Sequence, residues 1–378
     1  MKKIAIVYHY FAHYREAVLR KIVDEFEDVA EITMVSGVET DVPNLKLLDF
    51  SSFENCKHFV VSNQWWAGGL WQKKILKHLY DEKYDAVIFL GQFNFLSTWV
   101  AVPFVKLYGG RAFFWTHGVY GNEGRLKLFI RHVFYRLGNG LLLYGDYAKK
   151  LLVKSKFDPS KLSVIYNSLD YEMQIKCRRH AGSISHEESV FNLFGASKCR
   201  YVIFVGRLTA VKKLKMLIHA VNEISPDQED VRCLLVGEGP ELENLKEEVN
   251  SLGIQQKVLF YGACYDEKRL SEMLYHAHVC VAPGNVGLTA VHSLMYGTPV
   301  ITHDRFEKQM PEFEAISSGL NGGFYKYGSQ KSLTSLIVRW LRESSLSREN
   351  VRSSCYRAVD EKYNPTNQAG IILSLIHI

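Results

Sequence analysis

The chain has 378 residues, of which 47% are hydrophobic, 23% are charged and only nine are proline. This composition excludes a disordered, collagen-like or low-complexity protein, and the length predicts two or three domains. The 46 basic and 40 acidic residues leave a net charge of +6, which is too weak to indicate a nucleic-acid-binding protein.

The first 170 residues alternate between helical patterns and short runs of β-branched or aromatic residues. These runs predict strands at 4–8, 29–35, 86–90, 112–115, 141–144 and 162–166. Continuously apolar strands that alternate with helices are typical of a parallel sheet covered on both faces. The stretch 86–105 carries no charge and is long enough to span a bilayer, but its polar turn favours a strand followed by a buried helix.

Residues 171–199 break this alternation, and we predict a linker with a short helical piece there. The alternation then restarts, with predicted strands at 201–205, 232–236, 258–260, 279–282 and 300–302. We therefore expect an α/β protein with two Rossmann-like domains, 1–170 and 200–345, followed by a helical tail over 346–378. The carboxyl ends of the strands in two facing parallel sheets form a natural cleft for a ligand.

The first motif that carries chemistry follows the predicted strand 201–205. Gly206 and Arg207 end the strand, and Lys212 lies just before an apolar helix. Glycine permits close backbone approach, while an arginine fork, a lysine charge and free helix N–H groups are the donors that bind phosphate. The alternative is a solvated basic helix start, which the helix dipole disfavours.

Three further loops follow predicted strands and contain glycine. Two of them, around Gly237-Glu238-Gly239-Pro240 and Gly262, are common strand-to-helix connections when taken alone. The third runs over 283–289 and opens an apolar helix, whose free N–H groups can receive phosphate or sugar hydroxyls. Within that helix, His292 is either a ligand of the same site or a satisfied core histidine.

The order and spacing of these motifs, continued by Gly297-Thr298-Pro299-Val300 and Pro311-Glu312, resembles glycosyltransferase family 4 over about residues 201–324. The resemblance implies the GT-B fold, in which two Rossmann-like domains face each other across a cleft, and a retaining enzyme that uses a nucleotide-diphosphate-sugar. It implies that Arg207 and Lys212 hold the donor diphosphate and act in catalysis. The other donor-binding positions that it implies are Gly206, Gly237, Glu238, Gly262, Asn285, Gly287, Leu288, Thr289 and His292.

One feature of the family pattern is missing. The paired glutamates of the family, separated by seven residues, fall on Gly284 and His292 in this chain. Histidine can still hydrogen-bond ribose hydroxyls, whereas glycine has no side chain with which to contact the transferred sugar.

The resemblance also implies that catalysis needs no protein nucleophile and no metal or other cofactor. In the family, the leaving diphosphate deprotonates the acceptor, so that the protein positions the substrates and stabilises the departing charge. The chain contains no Asp-X-Asp sequence, and its seven cysteines are scattered singly, as expected of reduced thiols in a cytosolic protein.

The first domain contributes candidates on three loops. His117 closes the predicted strand 112–115 and resembles the family's histidine near the donor sugar and the acceptor, although a capping or buried histidine is the alternative. Loops that face the acceptor are expected after the first and third predicted strands, where the sequence has His13, Tyr14, Arg15 and Asn94.

Positive charge is concentrated over 106–161, with 11 basic and three acidic residues. Within this segment, 125–137 has apolar residues at the spacing of one helix face, with basic residues between them. Two interpretations stay open: a core-facing helix with a solvated basic side, or a docking surface for anionic lipid headgroups beside a lipid-linked acceptor.

Together these features predict a glycosyltransferase of the hexosyltransferase type (EC 2.4 class) that moves a sugar from a UDP- or GDP-sugar to a glycan or lipid-linked glycan in surface polysaccharide biosynthesis. We expect it in the cytoplasm, peripheral on the inner face of the plasma membrane, with no nucleic-acid partner. The alternative is a catalytically inactive GT-B-like partner protein that binds a nucleotide-sugar, which the two missing glutamates favour.

Overall fold

The structure, a computed structural model, describes residues 1–40, 45–196, 199–224 and 230–376, with the side chains of 343–346 left out. The chain divides into two compact units. The first unit consists of Met1–Asp170 together with Asn364–Ile378, and the second consists of Tyr171–Tyr363.

The first unit is built on a parallel sheet with the strand order β3–β2–β1–β6–β7–β8–β9. Its strands and the separate antiparallel hairpin β4–β5 are β1 (Lys2–Val7), β2 (Ala30–Ser36), β3 (Cys56–Val60), β4 (Ser62–Trp66), β5 (Gly69–Lys73), β6 (Ala86–Leu90), β7 (Arg111–Thr116), β8 (Gly140–Leu143) and β9 (Leu162–Val164). Its helices are α1 (Glu16–Phe26), α2 (Ile75–Glu82), α3 (Leu96–Leu107), α4 (Arg125–Leu137) and α5 (Asp146–Lys154). The central strands are apolar on both faces because one buried cluster packs on each side of the sheet.

The second unit repeats this design around a parallel sheet with the order β12–β11–β10–β13–β14–β15. The strands are β10 (Arg200–Val205), β11 (Val231–Val236), β12 (Val258–Gly262), β13 (Val279–Val281), β14 (Val300–His303) and β15 (Gly322–Tyr325). The helices are α6 (Tyr171–Ala181), α7 (His186–Phe194), α8 (Leu214–Glu223), α9 (Leu242–Ser251), α10 (Glu267–His276), α11 (Thr289–Met295), α12 (Gln330–Leu346) and α13 (Arg348–Glu361). The prediction of two Rossmann-like parallel-sheet domains is confirmed.

The predicted linker over 171–199 differs from the structure. Helices α6 and α7 occupy most of it and belong to the second unit, where Ala181 and Val190 are fully buried. Burial against the unit, rather than the local sequence pattern, makes this segment part of a domain. Residues 197 and 198 lie outside the described residues.

The predicted tail over 346–378 is helical, but it is divided between the two units. Helix α13 packs in the second unit, whereas α14 (Pro365–Ile376) packs on α1 in the first. Ala369 and Ile372 are fully buried in the core of the first unit, which explains the apolar end of the chain. Residues 377 and 378 lie outside the described residues.

The uncharged stretch 86–105 forms β6, a turn and most of α3, in line with the strand-and-helix interpretation. Among the described residues, no helix combines the length and the apolar character that a membrane span requires. Pro103 lies within α3, and the helix continues to Leu107.

Candidate donor and acceptor sites

In the second unit, the predicted donor-binding residues lie at one edge of the sheet. The loops that contain them follow β10, β11, β12 and β13, which are neighbours in the order β12–β11–β10–β13. Since these strands are parallel, their carboxyl ends meet at the same edge, which is where open α/β sheets bind ligands.

The glycine loops are stacked on one another by backbone hydrogen bonds. The amide of Leu208 donates to the carbonyl of Glu238, and that of Gly237 to the carbonyl of Gly262, both at 2.8 Å. A Cβ on Gly237 would lie 2.0 Å from the carbonyl oxygen of Gly206, and one on Gly239 would lie 2.2 Å from that of Leu208. Loop packing therefore requires glycine at these two positions, where φ is also positive.

Lys212 is held between two of these loops. Its Nζ donates to the carbonyl of Asn285 at 2.8 Å, and its own carbonyl accepts from the amide of Gly284 at 2.9 Å. Burial lowers the pKa of Lys212, and the negative charge of Glu312 partly offsets that effect. Glu312 is only 2% exposed, so the ammonium and its acidic neighbour form a fixed electrostatic element of the site.

Gly284, the position of the family's first glutamate, is too crowded for a side chain. A Cβ there would lie 1.8 Å from the carbonyl oxygen of Val211 and 2.7 Å from the Cα of Lys212. The backbone turn that carries Lys212 therefore occupies the space in which a glutamate side chain would begin.

Arg207 and Glu238 lie at the exposed rim of the same edge. Within the described ranges, Arg207 makes no ion pair or hydrogen bond, which leaves its guanidinium available to an anion. Arg207 and Lys212, which were predicted together as cations, lie in one short turn: Arg207 at its start is exposed, and Lys212 at its end is half-buried.

The loop after β13 is braced by side chains that sequence analysis missed. Gln309 accepts from the amide of Val286 at 2.9 Å and donates to Thr302 and to the carbonyl of His303. At the start of α11, the hydroxyl of Thr289 donates to the carbonyl of Val205 at 2.9 Å, which ties this loop to the end of β10. No local sequence signal identifies Gln309, because its partners come from other strands.

Three other predicted donor positions lie in this braced loop. Asn285 is half-buried, with its Oδ1 lacking a hydrogen-bond partner among the described atoms, and Gly287 has a positive φ of 56°. Leu288 precedes α11 as its N-terminal cap. The loop therefore combines a backbone shape that favours glycine with a polar oxygen that has no partner within the described chain.

His292 is bound to an acidic side chain that sequence analysis did not identify. Its Nε2 lies 2.8 Å from Oε1 of Glu267, which also accepts from Tyr296 at 2.5 Å and from Gln174 at 2.9 Å. Burial raises the pKa of Glu267, but the charge of His292 and these hydrogen bonds outweigh burial and lower it to about 2. His292 therefore helps to join α10 and α11, as the core interpretation predicts for a satisfied histidine.

In the first unit, the predicted acceptor-site residues follow β1, β6 and β7, which are neighbouring strands. His117 follows β7, and its ring centroid lies 4.7 Å from that of Tyr144, which follows β8. Arg15 follows β1, and its Nη2 donates to the hydroxyl of Tyr144 at 2.5 Å. Burial, assisted by the charges of Arg15 and Arg131, lowers the pKa of His117 to about 4, so its imidazole is neutral at pH 7.

The remaining acceptor candidates do not join this group. His13 is exposed, with Nδ1 3.1 Å from the carbonyl of Lys46, and Tyr14 is 48% exposed. The amide of Asn94 donates to the carbonyl of Gly68 at 3.1 Å, which holds the β4–β5 turn against the loop after β6. Asn94 therefore has a structural role within the first unit.

Helix α4 presents part of its apolar stripe to solvent. Leu126 and Phe129 are 73% and 66% exposed, and Val133 is exposed beside them. The buried side of the helix includes Arg131, which forms an ion pair with Glu123 at 2.7 Å and donates to the carbonyl of Gly118 at 2.9 Å. Because Phe134 is buried in the core while Arg125 and Arg136 are exposed, both interpretations of 125–137 stay open.

The described residues contain no group of three or more His, Cys, Asp or Glu side chains that is placed to hold a metal ion. The polar groups at the two sheet edges are instead cations, amides, hydroxyls and a neutral histidine. This set suits phosphate oxygens and sugar hydroxyls.

Comparison with known proteins agrees with this chemistry. Residues 186–357 match the family of glycosyl transferases group 1. This match covers just under half of the chain. An uncharacterized glycosyltransferase of Methanocaldococcus jannaschii is 26% identical over 221 residues, which cover 55% of this chain and 52% of that protein. The chain thus spans about half the length of this curated relative.

Solved glycosyltransferase structures share the fold over the whole chain. The Anabaena protein HepE in complex with UDP superimposes with a TM-score of 0.74 at 15% identity and is covered completely, as is this chain. The lipopolysaccharide outer core galactosyltransferase WaaB gives a TM-score of 0.70 at 16% identity, with 99% of both chains covered. The predicted glycosyltransferase family and the predicted GT-B type of fold are confirmed.

Proposed function

We propose that the chain is a retaining glycosyltransferase that transfers a sugar from a UDP- or GDP-sugar to a glycan or lipid-linked glycan in the synthesis of a surface polysaccharide. The observation that carries the proposal is the turn from Arg207 to Lys212, which offers one exposed and one half-buried cation at the carboxyl edge of a parallel sheet. The binding of UDP by HepE and the part of WaaB in lipopolysaccharide synthesis support this choice of donor and pathway class.

In the proposed reaction, Arg207 and Lys212 bind the diphosphate and stabilise the negative charge that develops as the sugar departs. The glycine loops at Gly237 and Gly262 border the base, and the backbone and hydroxyl at Gly287 and Thr289 meet phosphate and sugar. Positioning and electrostatic stabilisation carry the rate, so no metal or other cofactor is needed.

The neutral imidazole of His117 serves in this scheme as a hydrogen-bonding group. Because its pKa is about 4, it does not act as a cation at pH 7. It orients a hydroxyl of the sugar or of the acceptor, while the departing diphosphate receives the acceptor proton. No charge on His117 is required at any step.

The experiment that tests the donor assignment compares Arg207→Ala and Lys212→Ala with Lys215→Ala. Lys215 is a matched control because it is exposed on the following helix and pairs with Glu248. Loss of a charged hydrogen bond costs about 1.5–3 kcal/mol, so calorimetry should find UDP or GDP binding weakened at least tenfold in the first two variants. Unchanged affinity in both would overturn the assignment.

A second candidate function rests on Gly284. Because the Lys212 turn fills the place of the family's first glutamate, and His292 is bound to Glu267, a nucleotide-sugar-binding protein without transferase activity is the alternative. A radiolabelled-donor assay with lipid and glycan acceptors separates the two. Donor binding without transfer or donor hydrolysis would favour the inactive partner.

The proposed enzyme acts at a membrane surface through helix α4. Its exposed apolar residues Leu126, Phe129 and Val133 lie beside the cations Arg125 and Arg136, which are also exposed. An amphipathic helix of this kind lies in the interface of an anionic bilayer, where each basic residue adds about 1 kcal/mol. This proposal places the chain on the inner face of the plasma membrane.

Flotation with vesicles that contain anionic lipid tests the membrane surface. The variant Phe129→Ser should reduce the bound fraction severalfold, because a largely exposed aromatic ring would no longer insert. Phe191→Ser is the matched control, since Phe191 is 61% exposed on α7 of the second unit. Equal flotation of both variants, or binding that added salt leaves unchanged, would contradict the proposal.

A further inference from the structure

Arg15 is a half-buried cation without a carboxylate partner. Its Cζ lies 5.0, 5.3 and 5.9 Å from the ring centroids of Tyr8, Trp115 and Tyr144, and its Nη2 donates to the hydroxyl of Tyr144. Within the described ranges, no Asp or Glu lies within ion-pair distance of it. Removing a guanidinium from water without an anion is costly, so the fold maintains this arrangement at an energetic disadvantage.

Two other arginines of the first unit are paired with carboxylates. Arg131 is bound to Glu123 at 2.7 Å and Arg20 to Glu16 at 2.8 Å, although Arg20 also packs over an aromatic ring, that of Phe53. At Arg20, stacking on a ring does not replace the carboxylate, whereas Arg136 stacks on Phe157 at 4.7 Å and is exposed to solvent. Arg15 differs from both because it is half-buried and has no carboxylate within ion-pair distance among the described residues.

Two further polar groups next to Arg15 are unsatisfied. The indole Nε1 of Trp115 is fully buried, and the Nδ1 of His117 is also buried; neither has a hydrogen-bond partner among the described atoms. Buried donors in folded proteins are nearly always satisfied by protein, water or a ligand. A cation, an indole N–H and an imidazole thus meet at the carboxyl edge of β1, β7 and β8.

We infer that Arg15, held by Tyr144, binds an oxyanion of the acceptor substrate, which is a phosphoryl or carboxylate group, beside His117. The guanidinium fork matches the two oxygens of either group, and the surrounding rings exclude water and strengthen the contact. The inference rests on the proposed function, because it names the chemical class of the acceptor: a glycan or lipid-linked glycan that carries an anionic group near the reacting hydroxyl.

The test uses the full chain saturated with UDP or GDP, so that the phosphate site of the second unit is occupied. Glycerol 3-phosphate, glycerate and glycerol are titrated by calorimetry. A charged probe should bind where glycerol does not, and whether the phosphate or the carboxylate binds more tightly identifies the anion. The variant Arg15→Gln should weaken binding of the charged probe at least tenfold, and Arg15→Lys, which keeps charge without the fork, should weaken it less.

The matched control is Arg20→Gln, which removes a paired arginine of the same unit and should leave the anion affinity unchanged. Equal affinities in wild type and Arg15→Gln, or equal binding of glycerol and its phosphate, would overturn the inference. If Arg15→Gln does not fold, Tyr144→Phe serves as the second variant, because it removes only the hydroxyl that holds Arg15. It should weaken anion binding severalfold. An unchanged affinity in that variant would also overturn the inference.

Failure of the proposed function is recognised separately. A wild-type chain that binds neither UDP nor GDP would contradict the donor site, whatever happens at Arg15. A chain that binds the nucleotide normally but shows no Arg15-dependent anion binding would contradict only the inference about the acceptor.

Discussion

At the scale of single residues, Gly284 explains why a glutamate is absent from this site. The carbonyl oxygen of Val211 and the Cα of Lys212 lie 1.8 and 2.7 Å from where a Cβ would be, so this position of the lysine turn and a side chain at residue 284 exclude each other. The position of Lys212 therefore depends on a glycine at residue 284. The departure from the family pattern is therefore a packing requirement of the Lys212 turn.

Replacing Gly284 by alanine should displace this turn. Overpacking a closed site costs about 1–3 kcal/mol, and the lysine would move away from the carbonyl of Asn285. We expect a lower free energy of unfolding in urea together with weaker nucleotide binding by calorimetry. Gly124→Ala is the control, because nothing lies within 4 Å of its Cβ position and its φ of −62° suits alanine. A stable Gly284→Ala variant with normal affinity would show that the turn is free to shift.

His117 gives the second residue-scale prediction. Its pKa is about 4 in the folded chain, below the ordinary value of 6.5, so the unfolded chain binds more protons between these values and stability falls as the pH is lowered through this window. At pH 5 the loss is about 2 kcal/mol relative to pH 7. Urea unfolding at both pH values should show this extra loss in wild type and not in His117→Gln. Parallel pH dependence in the two proteins would contradict the buried, neutral imidazole.

At the residue scale, the sequence located those candidate positions whose placement depends on the local order of the chain. The turn from Gly206 to Lys212 and the position of His117 follow from strand ends that the sequence marks clearly. It missed Glu267, Gln309 and the unpaired state of Arg15, because each depends on which side chains other elements bring near. Glu267, for example, lies 25 positions before His292, and no local sequence pattern indicates that the two side chains are in contact.

At the scale of elements, one carboxylate joins three helices. Glu267 of α10 accepts from Gln174 of α6 and from His292 and Tyr296 at α11 and its end. His292→Ala should leave this half-buried carboxylate with fewer donors and lower the free energy of unfolding by about 1–3 kcal/mol, measured in urea. A raised KM for the donor with unchanged stability would instead place His292 at the ribose.

The elements themselves were predicted unevenly, for physical reasons. Central strands such as β1, β6 and β10 are apolar on both faces and were identified. The polar strands β3 to β5 and the glycine-rich β15 were not, because pairing partners rather than composition place them in sheets. Helix α4 shows a further limit: its pattern defines an apolar face, but the structure buries only part of that face, Phe134 included, together with Arg131, which pairs with Glu123.

At the scale of the whole molecule, the chain passes from the first unit to the second at residue 171 and returns at residue 364. Helix α14 therefore packs in the core of the first unit. Its residue Ile372 lies in the same buried cluster as residues of α1, which are more than 340 positions earlier in the sequence. Ile372→Ala should cost about 2–5 kcal/mol, and the exposed Ser374→Ala should be neutral. Hydrogen exchange should show faster opening of β1 and β2 in the first variant, and protection there equal to wild type would contradict this packing.

The same division predicts where a nucleotide stabilises the chain. All predicted donor residues lie in the second unit, so a ligand that binds only its folded form should stabilise that unit by about 2.7 kcal/mol at a hundred times Kd. Hydrogen exchange with UDP or GDP should therefore slow opening of β10, β11 and β13 more than that of β1 and β2, and Arg207→Ala should abolish the difference. Equal slowing in both units would mean that the nucleotide couples their stabilities, and slowing confined to the first unit would contradict the donor assignment.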